Sequence, residues 1–350
     1  MNSRKRRERK QMLTLIIAAA IILALVITYF AVKAFTEEKE DDDPTLSDIG
    51  EVGSFTIIDE DYTLLTSLSY KYDGETVNLH VEDGRWVFDG DPDFPVNQET
   101  VVYMMQAVSD YGGFTRYVYD ESRESSYGTD DPMFDITVTY FDKRDSESTH
   151  TRRFLVGNKN SLTGYYYFYE QGSTYIYMVN DMLFPYFAYK RADLFLGTVV
   201  PQPKVKDIVA LKVEYDGGVY EYTAEDAGEE TEPTVKAIMN SIPNTSHLDF
   251  DACVGYGLDK SEIAKYGLGE PSFRITLDYK EYTSVSASDG GSTAQMAKEK
   301  QFTVLFGDFV TEGEGDEARE YVYVCEEGSD IVYRVDADYC HGLQDAVSGE

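Results

Sequence analysis

Cysteine, histidine and positive charge are all scarce in this 350-residue chain, which has 3 Cys, 4 His and 31 Lys and Arg against 64 Asp and Glu. Because Cys253, Cys325 and Cys340 are odd in number, they cannot all close into an intramolecular disulfide framework. A Cys325–Cys340 bridge and ordinary buried thiols both remain open, and no CxxC spacing occurs. His80, His150, His247 and His341 stand apart, with no HExxH and no Cys or His at metal-binding spacing. GxSxG and SxxK are missing as well. A net charge of -33 excludes a nucleic-acid binder, since phosphate recognition needs concentrated Lys and Arg. Beyond residue 33 no apolar run approaches the ~20 residues a bilayer requires, which excludes a polytopic membrane protein. What is present is a chain with 42% hydrophobic and 14% aromatic residues, enough to build cores and exclude global disorder. Its length leaves room for about two domains.

The N-terminal end carries the one long apolar run, Met12 to Val32, without a charge. Arg4, Lys5, Arg6, Arg7, Arg9 and Lys10 precede it; Glu37, Glu38, Glu40, Asp41, Asp42 and Asp43 follow. The positive-inside rule therefore predicts a cytoplasmic tail at 1–11, a transmembrane helix at 12–33, an acidic tether at 34–60 and an extracytoplasmic remainder. A cleaved signal peptide is the competing reading, but its apolar region is usually ~7 to 15 residues long and ends at small residues. Tyr29-Phe30-Ala31-Val32-Lys33 offers no such site. The expected location is the cell membrane, single-pass. The acidic outer part favours cations or basic partners over anionic surfaces.

An internal duplication organises the rest. Residues 127–140, YGTDDPMFDITVTY, align without gaps to 266–279, YGLGEPSFRITLDY. Downstream, Tyr165, Tyr167, Gly172, Ser173, Tyr177 and Val179 find Tyr321, Tyr323, Gly328, Ser329, Tyr333 and Val335. Upstream, Tyr72-Asp73-Gly74 pairs with Tyr215-Asp216-Gly217, each a tight-hairpin signal. A helical stripe follows each hairpin: Val101, Val102, Met104, Met105 and Val108 behind an Asn97 cap, then Val235, Ile238, Met239 and Ile242 between Pro233 and Pro243. Phe134, Ile136, Val138, Tyr140 and Phe273, Ile275, Leu277, Tyr279 alternate as half-buried strands do. The predicted class is α+β: the transmembrane helix, then two tandem duplicated modules, each mainly antiparallel sheet with one principal helix. They span 61–187 and 207–345, joined by a linker at 188–206. Residues 284–301 and 311–320 read as insertions peculiar to the second copy.

Trp86, Tyr266-Gly267-Leu268, Pro271-Ser272 and Gly307, with the membrane segment and the aromatic hairpins, resemble the hallmarks of a family of bacterial extracytoplasmic proteins, domain-of-unknown-function family 4340. The first copy departs at Thr129 and Met133, and the second has no Trp. The resemblance covers roughly 60–343. Because some relatives are encoded beside ABC transporters of the gliding-motility type, it implies an accessory role; it supplies no catalytic residues.

Other motifs are weaker. Asp89, Asp91 and Asp93 alternate as a calcium loop opens, yet Phe94 and Thr100 stand where such a loop needs Gly and Glu. Gly313-Glu314-Gly315-Asp316-Glu317-Ala318 spells a degenerate dinucleotide fingerprint among acids that would repel a pyrophosphate, with no βαβ pattern around it. Paired carboxylates for glycoside hydrolysis stay open, because that geometry is spatial. No catalytic, cofactor-binding or metal residues are assigned, and no cofactor is expected. Tyr165, Tyr167 and Tyr169 share one strand face, as do Tyr321 and Tyr323, and form the candidate binding surface, since tyrosine offers stacking area with a polar tip. The expected function is a non-enzymatic, membrane-anchored extracytoplasmic scaffold or accessory subunit of a membrane protein complex, with ABC transporter subunits as the candidate partners. The alternative is a glycan- or peptide-binding protein using the inter-module cleft or the tyrosine face.

Overall fold

A computed structural model describes residues 50–143, 145–285 and 294–348. The end of the expected tether forms β1 (Glu51–Asp59), and the first repeat supplies β2 (Leu65–Tyr72), β3 (Glu75–Glu82), β4 (Arg85–Phe88), helix α1 (Gln98–Ser109), β5 (Asp110–Val118), β6 (Phe134–Asp142), β7 (Asp145–Lys159), β8 (Tyr166–Glu170) and β9 (Tyr175–Val179). The second supplies β10 (Ile208–Tyr215), β11 (Gly218–Thr223), helix α2 (Glu232–Asn240), β12 (Cys253–Gly255), β13 (Phe273–Val285), β14 (Ala294–Glu312), β15 (Arg319–Glu326), β16 (Val332–Asp336) and helix α3 (Asp338–Ser348). Asp73 and Gly74 both take positive φ, as the two-residue turn between β2 and β3 requires. Asn97 caps α1 by accepting from the Thr100 amide at 3.1 Å, and Val101, Met104, Met105 and Val108 bury the predicted stripe.

The strands form a nine-stranded sheet, β1-β5-β9-β8-β7-β6-β2-β3-β4, and a seven-stranded sheet, β11-β10-β13-β14-β15-β16-β12. Read in opposite directions, the two orders correspond strand for strand, apart from β1 and β4, which have no counterpart. Tyr70 pairs with Ile136 and Val213 with Ile275, so the matched isoleucines sit at the same rung, both fully buried. Gly128 and Gly267 end equivalent turns at φ 74 and 75. A Cβ on Gly157 would lie 2.0 Å from the Tyr127 carbonyl oxygen, and one on Gly307 2.1 Å from that of Tyr266. Both copies thus need glycine where two backbones touch.

The expected α+β class led by a transmembrane helix is corrected. The described residues are mostly antiparallel sheet with few helices, because β7, β13 and β14 run 15, 13 and 19 residues while α1 and α2 run only 12 and 9. Among the described residues no helix is long and apolar enough to cross a membrane; residues 1–49, with the tail, the 12–33 segment and most of the tether, lie outside them. Much of the 284–301 insertion is ladder, pairing Ser284 with Gln295 and Val285 with Ala294. Helix α3 was not foreseen.

The chain divides into two compact units, and the division runs across the repeats. One gathers residues 50–55 with Gly112–Met133 and Leu155–Asn180 around a core of Tyr127, Leu155, Tyr167, Tyr169, Ile176 and Met178. The other gathers Thr56–Tyr111, Phe134–Phe154 and residues from Asp181 on, and contains α1, α2, α3 and the whole seven-stranded sheet.

Candidate functional site

Within the second unit, the linker after the first repeat is stitched to both repeats. The Asn97 amide donates to the Leu194 carbonyl at 2.8 Å and the Leu196 amide to that of Pro95 at 2.7 Å, bracketing a bridge between Val96 and Phe195. Phe94, 1% exposed, is the hub: its ring lies 4.8 Å from Phe88, 5.6 Å from Phe195, 5.5 Å from Tyr256 and 5.9 Å from Phe250. The first three contacts are edge-to-face, the arrangement that ring quadrupoles favour. The Arg191 guanidinium stands 4.7 Å over Phe94 and 4.9 Å over Phe88 and pairs with Asp91, which also accepts from the Tyr256 hydroxyl at 2.7 Å. Burial, and then the bond given to Asp91, push the Tyr256 phenol above its ordinary pKa. Further along, the Tyr333 hydroxyl accepts from the Thr198 amide at 2.9 Å, and burial pushes that phenol up to about 12. Rings from both repeats and the linker pack together around Phe94.

The structure disperses the aspartate triplet. Asp89 bonds His80 Nδ1 at 2.6 Å, Asp91 serves Arg191 and Tyr256, and Asp93 packs against Gly257. Among the described residues no group of three or more His, Cys, Asp or Glu could hold a metal ion. The glycine-acid spelling at 313–318 is a single turn between antiparallel strands, without the helix a phosphate would meet. Cys325 and Cys340 are buried free thiols, both pushed up to about 12 chiefly by burial.

Of the five tyrosines proposed as a surface, Tyr165 alone is exposed, at 36%, where it stacks on exposed Phe114 at 5.1 Å. Tyr167 and Tyr169 are core residues, because β8 is an interior strand with both faces covered; Phe168 on the opposite face is fully buried too. Tyr321 lies half-buried beneath Arg334, and Tyr323 packs edge-on to Tyr266 at 4.9 Å. Sequence reasoning missed a cleft of about 780 Å³ in the second repeat, lined by Lys204, Lys206, Tyr222, Glu232, Lys236 and Met239 among others. Lys204 and Lys206 are exposed and form no ion pair among the described residues, whereas Lys236 pairs with Glu232 at 2.6 Å. In so acidic a chain, lysines at alternate positions were the available signal.

No curated protein and no solved structure matches the chain. The family model described as Domain of unknown function (DUF4340) matches residues 86–260, from Trp86 in β4 through the linker to the turn after β12. That stretch holds Phe94, Arg191 and Tyr256 together, so the joint lies inside the matched region. By that match over half its length, the chain belongs to the family Domain of unknown function (DUF4340).

Proposed function

We propose that this protein acts by contact, as a non-enzymatic extracytoplasmic scaffold or accessory subunit of a membrane protein complex. ABC transport systems are the class that the family resemblance implies. The observation that carries the reading is where the reactive side chains are spent. His80 is bound to Asp89, His150 is stacked on Tyr140, His247 is bound to Asn244, and His341 is bound to Glu320 and stacked on Phe309. Asp91, Glu60 and Asp135 face Arg191, Arg152 and Arg153. These groups hold the fold, and among the solvent-facing features the many acids, a stacked Phe114–Tyr165 pair and the lysine-edged cleft are the ones suited to contact. Capture from detergent extracts tests it: the intact protein should retain membrane-complex subunits, and Phe114→Ser with Tyr165→Ala should weaken retention without moving the thermal transition. Turnover of a glycan, peptide or phosphoester by the purified protein, abolished by one Asp or Glu replacement, would overturn the reading.

A further inference from the structure

At the β3 edge the first repeat carries a further strand, β4, that the second lacks. In the first, β4 lies along β3 with Trp86 opposite Val81 and Phe88 opposite Leu79, under helix α1. Gln98 at the start of α1 fixes this strand, accepting from the Trp86 amide and donating to the Trp86 carbonyl, both at 2.8 Å. In the second, the chain leaves β11 at Thr223 and reaches α2 by a shorter connection that forms no strand, so β11 is a sheet edge. By the repeat correspondence Tyr222 takes the place of Leu79, Met239 of Met105 and Glu232 of Gln98. These three residues line the 780 Å³ cleft. The cleft thus occupies the region that β4 fills in the first repeat, and its volume falls within the ~300–1,000 Å³ of ligand sites.

We propose that this cleft receives an extended peptide segment of a partner protein, with a large apolar side chain over Tyr222 and Met239 and acidic neighbours against Lys204 and Lys206. The first repeat is the template for the main chain. Glu232 takes over the acceptor role of Gln98, and Lys236, beside it, takes over the donor role. Lys204 and Lys206 select for acidic flanks, since they are the exposed cations without an ion-pair partner among the described residues in a cleft that otherwise carries Glu229 and the Glu232–Lys236 pair. Strand addition to an open edge is a recurring mode of peptide recognition, in which the backbone gives affinity and one pocket gives selectivity. The inference deepens the contact reading and rests on it.

The test uses the intact protein and a labelled peptide of the chain's own Asp83–Asp91 segment, which carries the β4 side chains between acidic ends. Fluorescence anisotropy should show saturable binding. Replacing the Phe88 equivalent of the peptide, the residue that faces Leu79 in the first repeat and so Tyr222 here, by Ala should weaken it about tenfold, as loss of a buried aromatic anchor does. Lys204→Glu with Lys206→Glu should weaken it by a similar factor, and Ala227→Trp should block it, with thermal transitions unchanged because all three positions are exposed. No saturation up to millimolar peptide overturns the proposal, as does binding indifferent to Ala227→Trp. Concentration-dependent self-association lost in Ala227→Trp would instead assign the cleft to a second copy and overturn the partner. If the peptide fails while capture dependent on Phe114 and Tyr165 persists, this inference falls and the contact reading stands; substrate turnover would remove the contact reading whatever the peptide does.

Discussion

Replacing Phe94 by Ala removes the hub of the joint, and the size of the effect follows from its surroundings. The side chain is almost wholly buried and touched by four other rings and a guanidinium. A buried Phe→Ala change costs about 3–5 kcal/mol, and the well-placed ring contacts put this site toward the upper end. Phe94→Leu keeps most of the volume and should cost only about 1–1.5 kcal/mol. Arg191→Met should cost about 1 kcal/mol, because its ion pair with Asp91 is partly exposed and therefore screened. Combined with Phe94→Leu it should show a coupling near 0.5–1 kcal/mol, the worth of a cation held over a ring. Trp86, the chain's single tryptophan, is buried in β4 near Phe88 and reports the transition directly in urea. A loss below about 1 kcal/mol for Phe94→Ala, or strict additivity of Arg191→Met with Phe94→Leu, would refute the joint as the centre of this unit's stability.

Gly157→Ala and Gly307→Ala should each destabilise by about 2–4 kcal/mol in urea titrations, since each Cβ would strike a carbonyl oxygen; markedly unequal losses would break the structural equivalence of the repeats. Stability should fall as pH rises from about 9 toward 12. Cys325 and Cys340, with folded pKa values of about 12, bind protons that the unfolded chain has released, so their contribution is complete below the unfolded pKa and is lost as pH rises through the folded one. Calorimetry across that window, with Cys325→Ser as control, checks it; a flat profile would contradict the burial of the thiols. Tyr167→Ala should cost about 3–5 kcal/mol and Tyr165→Ala under about 1, reversing the expectation that both serve as surface.

Much of the strand pattern was legible because antiparallel strands write their burial with a period of two, as at Phe134–Tyr140. The two-residue turn at Asp73–Gly74 and the Asn97 cap were legible because they are local. The tyrosine hairpins misled because alternation reveals which residues share a face, and not whether that face is covered; β8 is interior, and its neighbours in space are distant in sequence. The joint escaped for the same reason, since Phe94, Arg191, Phe250 and Tyr256 meet only after the linker has turned back along Pro95–Asn97. Helix α3 escaped because it buries little more than Cys340 and Leu343, too sparse a stripe to stand out. The cleft is legible only by comparing the repeats and noticing the strand that one of them lacks.

The interleaving of the two units constrains how the chain assembles during synthesis. The first unit draws on three separated stretches and cannot close until Asn180 has emerged from the ribosome. The second has by then already exposed Thr56–Tyr111 and Phe134–Phe154 and must wait for residues beyond Asp181. Contacts of such long sequence separation fold slowly and leave strand edges unpaired in the meantime. A truncation at the linker would strand Thr56–Tyr111 and Phe134–Phe154 without their partners in the second unit, so neither repeat is a natural expression fragment. Translation of this protein therefore has two separated completion points, the first unit's after Asn180 and the second's only once the second repeat has been made.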